Sequence, residues 1–364
     1  MPRYDVAVIG AGPAGSTAAH ALATAGARVL LVDKAVFPRD KPCGGGVTLR
    51  GARLLPFTLG PVVEDALDRL DCSLRYRSRF SRFAGGPLAY MTQRARLDHF
   101  LLQKAAEAGA EVREGVTVDA REVDARIVIG ADGCNGASAK QLGLGGGIVH
   151  GVALEANVPY DARFAHTMVL DLAVIHGGYG WIFPKGDHLN AGVGGNASEG
   201  PRLRAELRRL CVEHGIDPDA ITDTRGYRLP MRTPQTKLAR GKAAVIGDAA
   251  GLVDPFSGDG MYEAFVSAQL AAAAALDVLA GKAAGMEPYA AAVARRIAPL
   301  TNAGWGAKRA FERFPRTAYA LTRLPPSFRA LEKLLRGELD RPGSARGLEK
   351  GAMRLIYAVA RAAT

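Results

Sequence analysis

Residues 4–33, YDVAVIGAGPAGSTAAHALATAGARVLLVD, decide the fold. A short apolar run leads directly into the glycine-rich turn 10–15, which is followed by an alanine-rich stretch up to Gly26 and a second apolar run that ends at Asp33. This order predicts a strand, a tight turn, a helix and a second strand, the unit that binds the pyrophosphate of a dinucleotide at the N-terminus of its helix. The glycines allow close backbone approach, and an acid about twenty residues further on accepts the ribose hydroxyls. We therefore predict dinucleotide contacts from Gly10, Gly12, Pro13, Ala14, Gly15, Asp33 and Lys34.

Two later segments each join an apolar strand to a small, acidic turn. They are residues 126–135, RIVIGADGCN, and residues 243–251, AAVIGDAAG. With the first unit in this order, the chain resembles the flavoproteins related to p-hydroxybenzoate hydroxylase, which use three such segments on one FAD. The resemblance implies FAD as the cofactor, with Asp248 at its ribityl hydroxyls. It also implies cofactor contacts from Arg94, Val118, Asp132, Gly133 and Gly247.

After the third segment, a short loop precedes one long apolar helix. The loop, residues 254–260, reads DPFSGDG, and the alanine-rich helix is predicted over residues 261–280. By the same resemblance, the N-terminus of this helix points at the N1 and C2 carbonyl edge of the flavin. Its free N–H groups and dipole would then stabilise the anionic reduced ring, although a plain buried helix has the same pattern. The candidate cofactor contacts here are Pro255, Gly258, Gly260 and Met261.

The segment GGYGWIFPKGDHLNAGVGG, residues 177–195, carries Tyr179, Trp181 and Phe183 at alternate positions. Aromatic rings of this kind favour a flat or apolar ligand. Together with KPCGGG at residues 41–46, this segment resembles the geranylgeranyl reductase family, which has a YxWxFP box and a K-x-C-G-G loop. The stretch GDGMYEAFVSAQLAA, at the start of the long helix, adds to the resemblance. Family members saturate carbon–carbon double bonds in the prenyl chains of lipids, quinones or chlorophyll precursors.

The resemblance implies a reaction in which a hydride from reduced FAD reaches one alkene carbon and a proton reaches the other. Tyr179, Trp181 and Cys43 are the candidate catalytic residues, and Cys43 and Gly44 are expected beside the flavin. The proton could come from Tyr179, from Cys43 or from water bound to the flavin. Because the chain has no second GxGxxG for a resident nicotinamide, the electron donor is expected to be transient NAD(P)H or a ferredoxin-like carrier.

Two other classes of protein share the FAD segments. A flavin-dependent monooxygenase or halogenase is the first alternative. The corresponding halogenase box is WxWxIP, so Tyr179 and Phe183 favour the reductase. The second alternative is a flavoprotein without net redox turnover, acting as a cyclase or a binding module.

The order of the motifs predicts an α/β fold with interleaved domains. With 364 residues, 48% of them hydrophobic, the chain can bury a large core. We predict a Rossmann-type FAD-binding domain, a mixed-sheet substrate domain and a helical C-terminal tail. Between Glu111 and Asp132 the connection is short, which leaves little room for the three-stranded meander of related FAD domains. The predicted ranges are 1–60, 91–147 and 235–285 for FAD, 61–90 and 148–234 for the substrate, and 286–364 for the tail.

The cysteines and the N-terminus indicate the compartment. The four cysteines show no CxxC spacing, which argues against an iron–sulfur or zinc site and favours a reducing cytoplasm. The start, MPRYDVAV, enters a strand directly, so no signal peptide is expected, and we expect no bilayer-spanning segment. We therefore predict a cytoplasmic protein without a metal, and we make no prediction of its oligomeric state.

Positive charge is concentrated at the C-terminal end. Residues 281–364 hold 16 Lys and Arg against 6 Asp and Glu, a net charge of +10 in a chain whose total is +11. A helix is predicted over residues 347–364, with one apolar face and Lys350, Arg354 and Arg361 off it. Such a helix either docks on the anionic inner face of the cell membrane or packs over the catalytic body. Nucleic acid is not expected, because no binding fold accompanies the charge. The predicted apolar face consists of Leu348, Ala352, Leu355, Ile356 and Val359.

Overall fold

The computed structural model describes residues 2–362, without the side chains of Met353, Ile356 and Tyr357. The described chain contains two large sheets, one small sheet and helices around them. The strands are β1 (Tyr4–Ile9), β2 (Val29–Val32), β3 (Gly46–Thr48), β4 (Asp65–Leu67), β5 (Arg69–Leu74), β6 (Arg77–Phe83), β7 (Ala89–Met91), β8 (Glu111–Arg113), β9 (Ala125–Gly130), β10 (Val149–Pro159), β11 (Thr167–Leu172), β12 (Tyr179–Pro184), β13 (His188–Asn196), β14 (Thr222–Met231), β15 (Ala239–Arg240) and β16 (Ala243–Val245). The helices are α1 (Pro13–Thr24), α2 (Leu49–Ala52), α3 (Arg94–Glu107), α4 (Ser138–Gln141), α5 (Leu203–Glu213), α6 (Met261–Leu279), α7 (Glu287–Arg296), α8 (Ala298–Arg313), α9 (Pro315–Thr322), α10 (Pro325–Arg336) and α11 (Gly347–Ala362).

The first large sheet has the strand order β15-β16-β9-β1-β2-β8, and its strands are parallel except for β15. Parallel strands are buried on both faces and therefore need continuous apolar runs, and β2, VLLV, is fully buried. Helices α1 and α6 pack along each other, and alanines at their contact allow a close approach. This sheet confirms the predicted Rossmann-type domain.

The connection between β8 and β9 is irregular. In the described chain, residues 114–124 contain no strand, in agreement with the expectation that a meander has little room there. Val118 lies in this connection and packs, partly buried, against the apolar core of the parallel sheet. Its contact with FAD stays a prediction.

The second large sheet has the order β14-β10-β13-β12-β11-β5-β6 and is mixed, because β11 and β5 run parallel among antiparallel neighbours. Its strands come from two separate stretches of chain, 69–83 and 149–231, between the strands of the first sheet. The fold is therefore interleaved, as predicted, while the exact domain boundaries stay predictions. One face of this sheet packs Ile182 and Val193 against Leu207 and Leu210 of α5. Aromatic side chains lie on the opposite face.

Among the described helices, α6 is long and apolar enough to cross a bilayer. The sequence had predicted no segment of this kind. In the most apolar stretch of α6, 67% is buried inside the molecule, and α1 packs along the helix. Its position is that of a central core helix.

The C-terminal tail is helical, as predicted, and α11 packs on α8 and α10. The helix α11 is present as predicted, and the residues of its predicted apolar face differ in burial. Ala352 and Ala360 are buried against the neighbouring helices, whereas Leu348 is 77% exposed and Leu355 is 53% exposed. The side chain of Ile356 lies outside the described residues, as do positions 363 and 364 of the predicted helix.

Candidate functional site

In the glycine-rich turn, two glycines lie so close to the neighbouring backbone that no side chain fits, and a third borders open space. Gly10 has a φ of +106°, and a Cβ there would overlap the backbone of Ala131. A Cβ on Gly15 would overlap the carbonyl oxygen of Gly10. A Cβ on Gly12 would instead meet only the Arg39 guanidinium, at 3.8 Å. The turn therefore leaves room on the Gly12 side for a pyrophosphate, and the cradle fits a bound dinucleotide.

Asp33 ties the end of β2 to the glycine turn. Its carboxylate accepts hydrogen bonds from the backbone N–H groups of Ala11 at 2.7 Å and Ala35 at 2.9 Å. Pro13 occupies the first turn of α1, where its missing N–H costs nothing. Lys34 is exposed beside Asp33. The ribose contact of Asp33 and the cofactor contact of Lys34 stay predictions.

The other two segments converge on the same turn. A Cβ atom placed on Gly15 would lie 3.2 Å from the Cβ of Ala131. A Cβ atom placed on Gly247 would lie 2.9 Å from the Cβ of Ala14. Asp132 accepts a hydrogen bond from the backbone N–H of Ser138 at 2.9 Å and so holds the start of α4. The three segments predicted from the sequence therefore meet at one place, the carboxyl ends of the parallel strands.

Asp248 lies in a small polar cluster that the sequence analysis did not assemble. Lys41 approaches its carboxylate at 3.3 Å and the hydroxyl of Tyr227 donates to it at 3.2 Å. Gly133 borders the same Tyr227 hydroxyl. Burial alone would lower the pKa of Lys41, but the adjacent Asp248 carboxylate outweighs this effect and raises it. Lys41 belongs to the K-x-C-G-G loop, so its signal was present, whereas Tyr227 comes from β14 without any sequence motif.

Tyr179, Trp181 and Phe183 form an aromatic wall on one face of β12. The ring centroids are 5.9 Å apart for Tyr179 and Trp181 and 6.3 Å apart for Trp181 and Phe183, which are stacked. The Trp181 indole N–H donates to Asn190 at 2.8 Å. The ring lies over Gly192 of β13, where any Cβ would overlap it. The missing side chain of Gly192 therefore allows the wall to lie flat.

The aromatic wall contacts both loops that were expected near the flavin ring. Phe183 lies 3.2 Å from the ideal Cβ position of Gly44 in the K-x-C-G-G loop. At the other end, the Tyr179 hydroxyl donates to the carbonyl of Ser257 and lies 3.9 Å from the ideal Cβ of Gly258. Burial raises the pKa of Tyr179, so its hydroxyl keeps its proton at neutral pH. The structure thus brings together the candidate residues of three distant segments.

One buried and one half-buried charged group fix the loop that carries Cys43. The Cys43 backbone N–H donates to Glu155 at 2.6 Å, and Lys185 donates to the carbonyls of Cys43 at 3.2 Å and Gly44 at 3.4 Å. Lys185 is only 4% exposed, and burial lowers its pKa, while burial raises the pKa of Glu155. Neither residue was predicted from the sequence. Lys185 directly follows the aromatic box, which is the one signal that could have identified it.

Arg94 is buried at the start of α3 and forms two hydrogen bonds of 2.7 Å with Asp98. Asp98 also binds Arg39 at 2.8 Å, the residue that borders Gly12. Burial alone would lower the pKa of Arg94, but Asp98 outweighs it and raises the pKa. Arg94 is therefore not a solvated arginine, and it reaches the glycine turn through Asp98 and Arg39.

The loop before α6 closes the site. Pro255 is buried against Gly304 of α8, and the ideal Cβ of Gly260 lies 3.3 Å from the Asp248 carboxylate. Met261 packs into an apolar cluster with Val47. Gly260 therefore connects this loop to the third FAD segment.

Comparisons with known proteins agree with this geometry. The FAD binding domain family model matches residues 3–57. The chain is 31% identical to the geranylgeranyl diphosphate reductase of Rhodobacter capsulatus over 325 residues, covering 78% of each chain. It is 32% identical to the menaquinone reductase of Mycobacterium tuberculosis over 318 residues, covering 74% of this chain and 75% of that one.

Solved structures share the fold over nearly the whole chain. A geranylgeranyl bacteriochlorophyll reductase-like protein from Thermoplasma acidophilum matches with a TM-score of 0.74 at 23% identity, covering 98% of this chain and 96% of that one. A flavin-dependent brominase matches with a TM-score of 0.75 at 18% identity, covering 99% and 98%. At these identities the likeness shows the fold alone.

The convergent glycine cradle, the fold and the matching FAD domain define an FAD-dependent oxidoreductase. Relatives that are 30% identical or more match this chain over about three quarters of both lengths. The chain belongs to the geranylgeranyl reductase family.

Proposed function

We propose that this enzyme saturates carbon–carbon double bonds in a prenyl chain carried by a lipid, a quinone or a chlorophyll-like molecule. The observation that carries the proposal is the aromatic wall, which spans from the Cys43 loop to the 254–260 loop. A stacked, largely buried apolar surface suits an isoprenoid chain better than a small polar substrate. The names of its relatives, which include a menaquinone reductase and a digeranylgeranylglycerophospholipid reductase, support the same substrate class.

When bound, FAD supplies the hydride for the reduction. The protein's own residues have three tasks. The Gly12 side of the turn and Asp248 would hold the cofactor, while the aromatic wall excludes water and orients the chain. Tyr179, which keeps its proton, or the thiol of Cys43 would hold the proton for the second alkene carbon. Transient NAD(P)H or a ferredoxin-like carrier would supply the electrons.

The tail would bring the enzyme to its substrate. Exposed Leu348 and Leu355 lie on the same helix as exposed Lys350 and Arg354, within a region of net charge +10. Apolar side chains beside basic ones suit the surface of an anionic membrane. We propose that α11 attaches peripherally to such a surface, where prenylated lipids and quinones reside.

The fold likeness to a flavin-dependent brominase keeps halogenation as the second candidate function. A halogenase consumes oxygen and halide, whereas a prenyl reductase needs neither and adds two hydrogens for each double bond. The two functions therefore differ in co-substrates and in product mass.

The test uses purified holoenzyme that has been reduced anaerobically with dithionite. Geranylgeranyl diphosphate and menaquinone are offered separately, and products are identified by mass spectrometry. Addition of hydrogen pairs to the prenyl chain supports the proposal. Unchanged prenyl substrates, together with halogenated or hydroxylated products of an aromatic substrate in air, would contradict it. Lipids and quinones from cells with and without the gene then identify the natural substrate.

A further inference from the structure

Three acidic residues lie in or directly after the loop that contacts Tyr179, and their charges act on one another. Asp254 and Asp259 lie at the two ends of the loop, and the Asp254 N–H donates to the Asp259 carbonyl at 2.8 Å. Glu263 follows in the first turn of α6. Arg50 on α2 stacks on the ring of Tyr262 at 3.9 Å and is the cation that acts on all three carboxyls. The cluster therefore contains more carboxyl groups than the charge of Arg50 can balance.

Glu263 is the most enclosed member of the cluster. It is 2% exposed, and its Oε2 atom has no hydrogen-bond partner among the described protein atoms. A buried carboxylate without a partner is so unfavourable that the neutral acid is preferred. Burial raises the pKa of Glu263 well above its usual value, the adjacent Asp259 and Asp254 raise it further, and Arg50 opposes them. Burial also raises the pKa values of Asp254 and Asp259.

The cluster lies next to the candidate reaction site. The charges of Asp259 and Asp254 act on the Tyr179 hydroxyl, which donates to Ser257 between them in the same loop. Asp259 also accepts the Met261 N–H at 2.8 Å and so fixes the start of α6. One loop therefore joins the enclosed Glu263 to the end of the aromatic wall.

We propose that Glu263, with Asp254 and Asp259, is a proton store that recharges Tyr179 during alkene reduction. This inference rests on the proposed function. Saturation of one double bond adds a hydride, which carries two electrons and comes from reduced FAD, and one proton. The phenol O–H of Tyr179 breaks as its proton bonds to the second alkene carbon. A carboxyl O–H of the store then breaks to restore the phenol, and water returns a proton to the store. Glu263 acts through Tyr179 and is a positioning residue.

The first test detects the stored proton without any turnover. Infrared spectra of holoenzyme in light and heavy water show the C=O band of a protonated carboxyl group. We expect Glu263→Gln to lower the intensity of this band at neutral pH and the matched control Glu206→Gln to leave it unchanged. Glu206 is also a buried glutamate, but it lies on α5 and accepts a hydrogen bond from Tyr76 at 2.7 Å. A band of unchanged intensity in Glu263→Gln would overturn the store.

The second test measures turnover against pH, with normal FAD content as the condition for each variant. Because general acids contribute 10²–10⁴-fold in rate, we expect Glu263→Gln to lose at least about tenfold in alkene reduction. The wild-type rate should fall as pH rises and the store ionises, while the variant should be slow at all pH values. Asp259→Asn, which keeps an oxygen to cap α6, provides a second measurement if Glu263→Gln folds poorly.

If the wild type reduces no prenyl chain, the proposed function fails. The infrared band then still shows whether Glu263 stores a proton. A weakened band with a wild-type rate and pH profile would overturn the proton-supplying role.

Discussion

The two large sheets of this molecule contribute to the site in different ways. The parallel sheet is buried on both faces, and its contribution is backbone geometry at the carboxyl ends of its strands, around Gly12 and Asp248. The mixed sheet buries one face against α5 and uses the other to present side chains, the aromatic wall and Lys185. Cofactor binding therefore depends mainly on where the backbone runs, whereas substrate recognition depends on which side chains the mixed sheet carries.

The largest effect expected from this comparison concerns the glycine turn. Gly15→Ala should abolish folding, because its Cβ would overlap the backbone of Gly10. Gly12→Val should fold but be purified mostly without FAD, because its side chain enters the space left for the pyrophosphate. Circular dichroism, thermal melting and flavin absorbance measure the two outcomes. A fully flavinylated Gly12→Val variant would contradict the assignment of this turn.

The second prediction concerns the side chains of the mixed sheet. Trp181→Ala should remove most alkene reduction while FAD content stays normal, with a loss of about 3–5 kcal/mol in the free energy of unfolding. Gly192→Ala should reproduce the loss of activity, because its Cβ displaces the indole without removing it. Product formation and flavin absorbance are measured in parallel. Loss of FAD together with activity would instead assign Trp181 to the structural core.

The third prediction concerns pH and Glu155, the half-buried acid that binds the Cys43 loop. Because the folded pKa of Glu155 is raised above its usual value of 4.5, the unfolded state releases its proton first as pH rises. Glu155 therefore lowers the stability progressively from pH 4.5 up to its folded pKa. Glu155→Gln, which retains an oxygen for the Cys43 N–H, should remove this decline. Urea unfolding across that pH range measures the difference, and parallel curves for the two proteins would show that Glu155 is ionised in the folded state.

The smallest effect on the catalytic body is expected for the tail. Lys350→Ala with Arg354→Ala should weaken binding to anionic liposomes by about 2 kcal/mol, since each basic residue near the surface contributes about 1 kcal/mol. Leu348→Ser with Leu355→Ser should weaken it separately by removing apolar contact. FAD content and activity on soluble substrates should not change. If the wild type ignores anionic liposomes at low salt, where screening is weak, the tail is a packing element only.

The sequence predicted the parts of this molecule that depend on local geometry. The glycine turn, the strands that flank it and helix α6 follow from short patterns, because φ angles and apolar periodicity are properties of neighbouring residues. Lys185, Glu155 and Glu263 were missed because a charged residue in a sequence carries no mark of its burial. Their environments arise only when the mixed sheet packs on the loops of the parallel sheet. Which apolar residues of α11 are covered could not be predicted for the same reason, since this depends on the packing of α8 and α10.

The interleaved order of the strands also determines when the cofactor can be bound during synthesis. Strand β16 pairs Ala243 with Val128 of β9, which itself pairs with β1. The third FAD segment therefore leaves the ribosome only after the whole mixed sheet, and pairings so distant in sequence form slowly. Residues 3–57, which carry the match to the FAD binding domain family, hold only one of the three segments that meet at the cradle. A nascent chain released or cleaved before residue 247 would thus leave the edge of the parallel sheet exposed and the cofactor site incomplete. FAD binding and completion of the fold are therefore expected to occur together, late in synthesis.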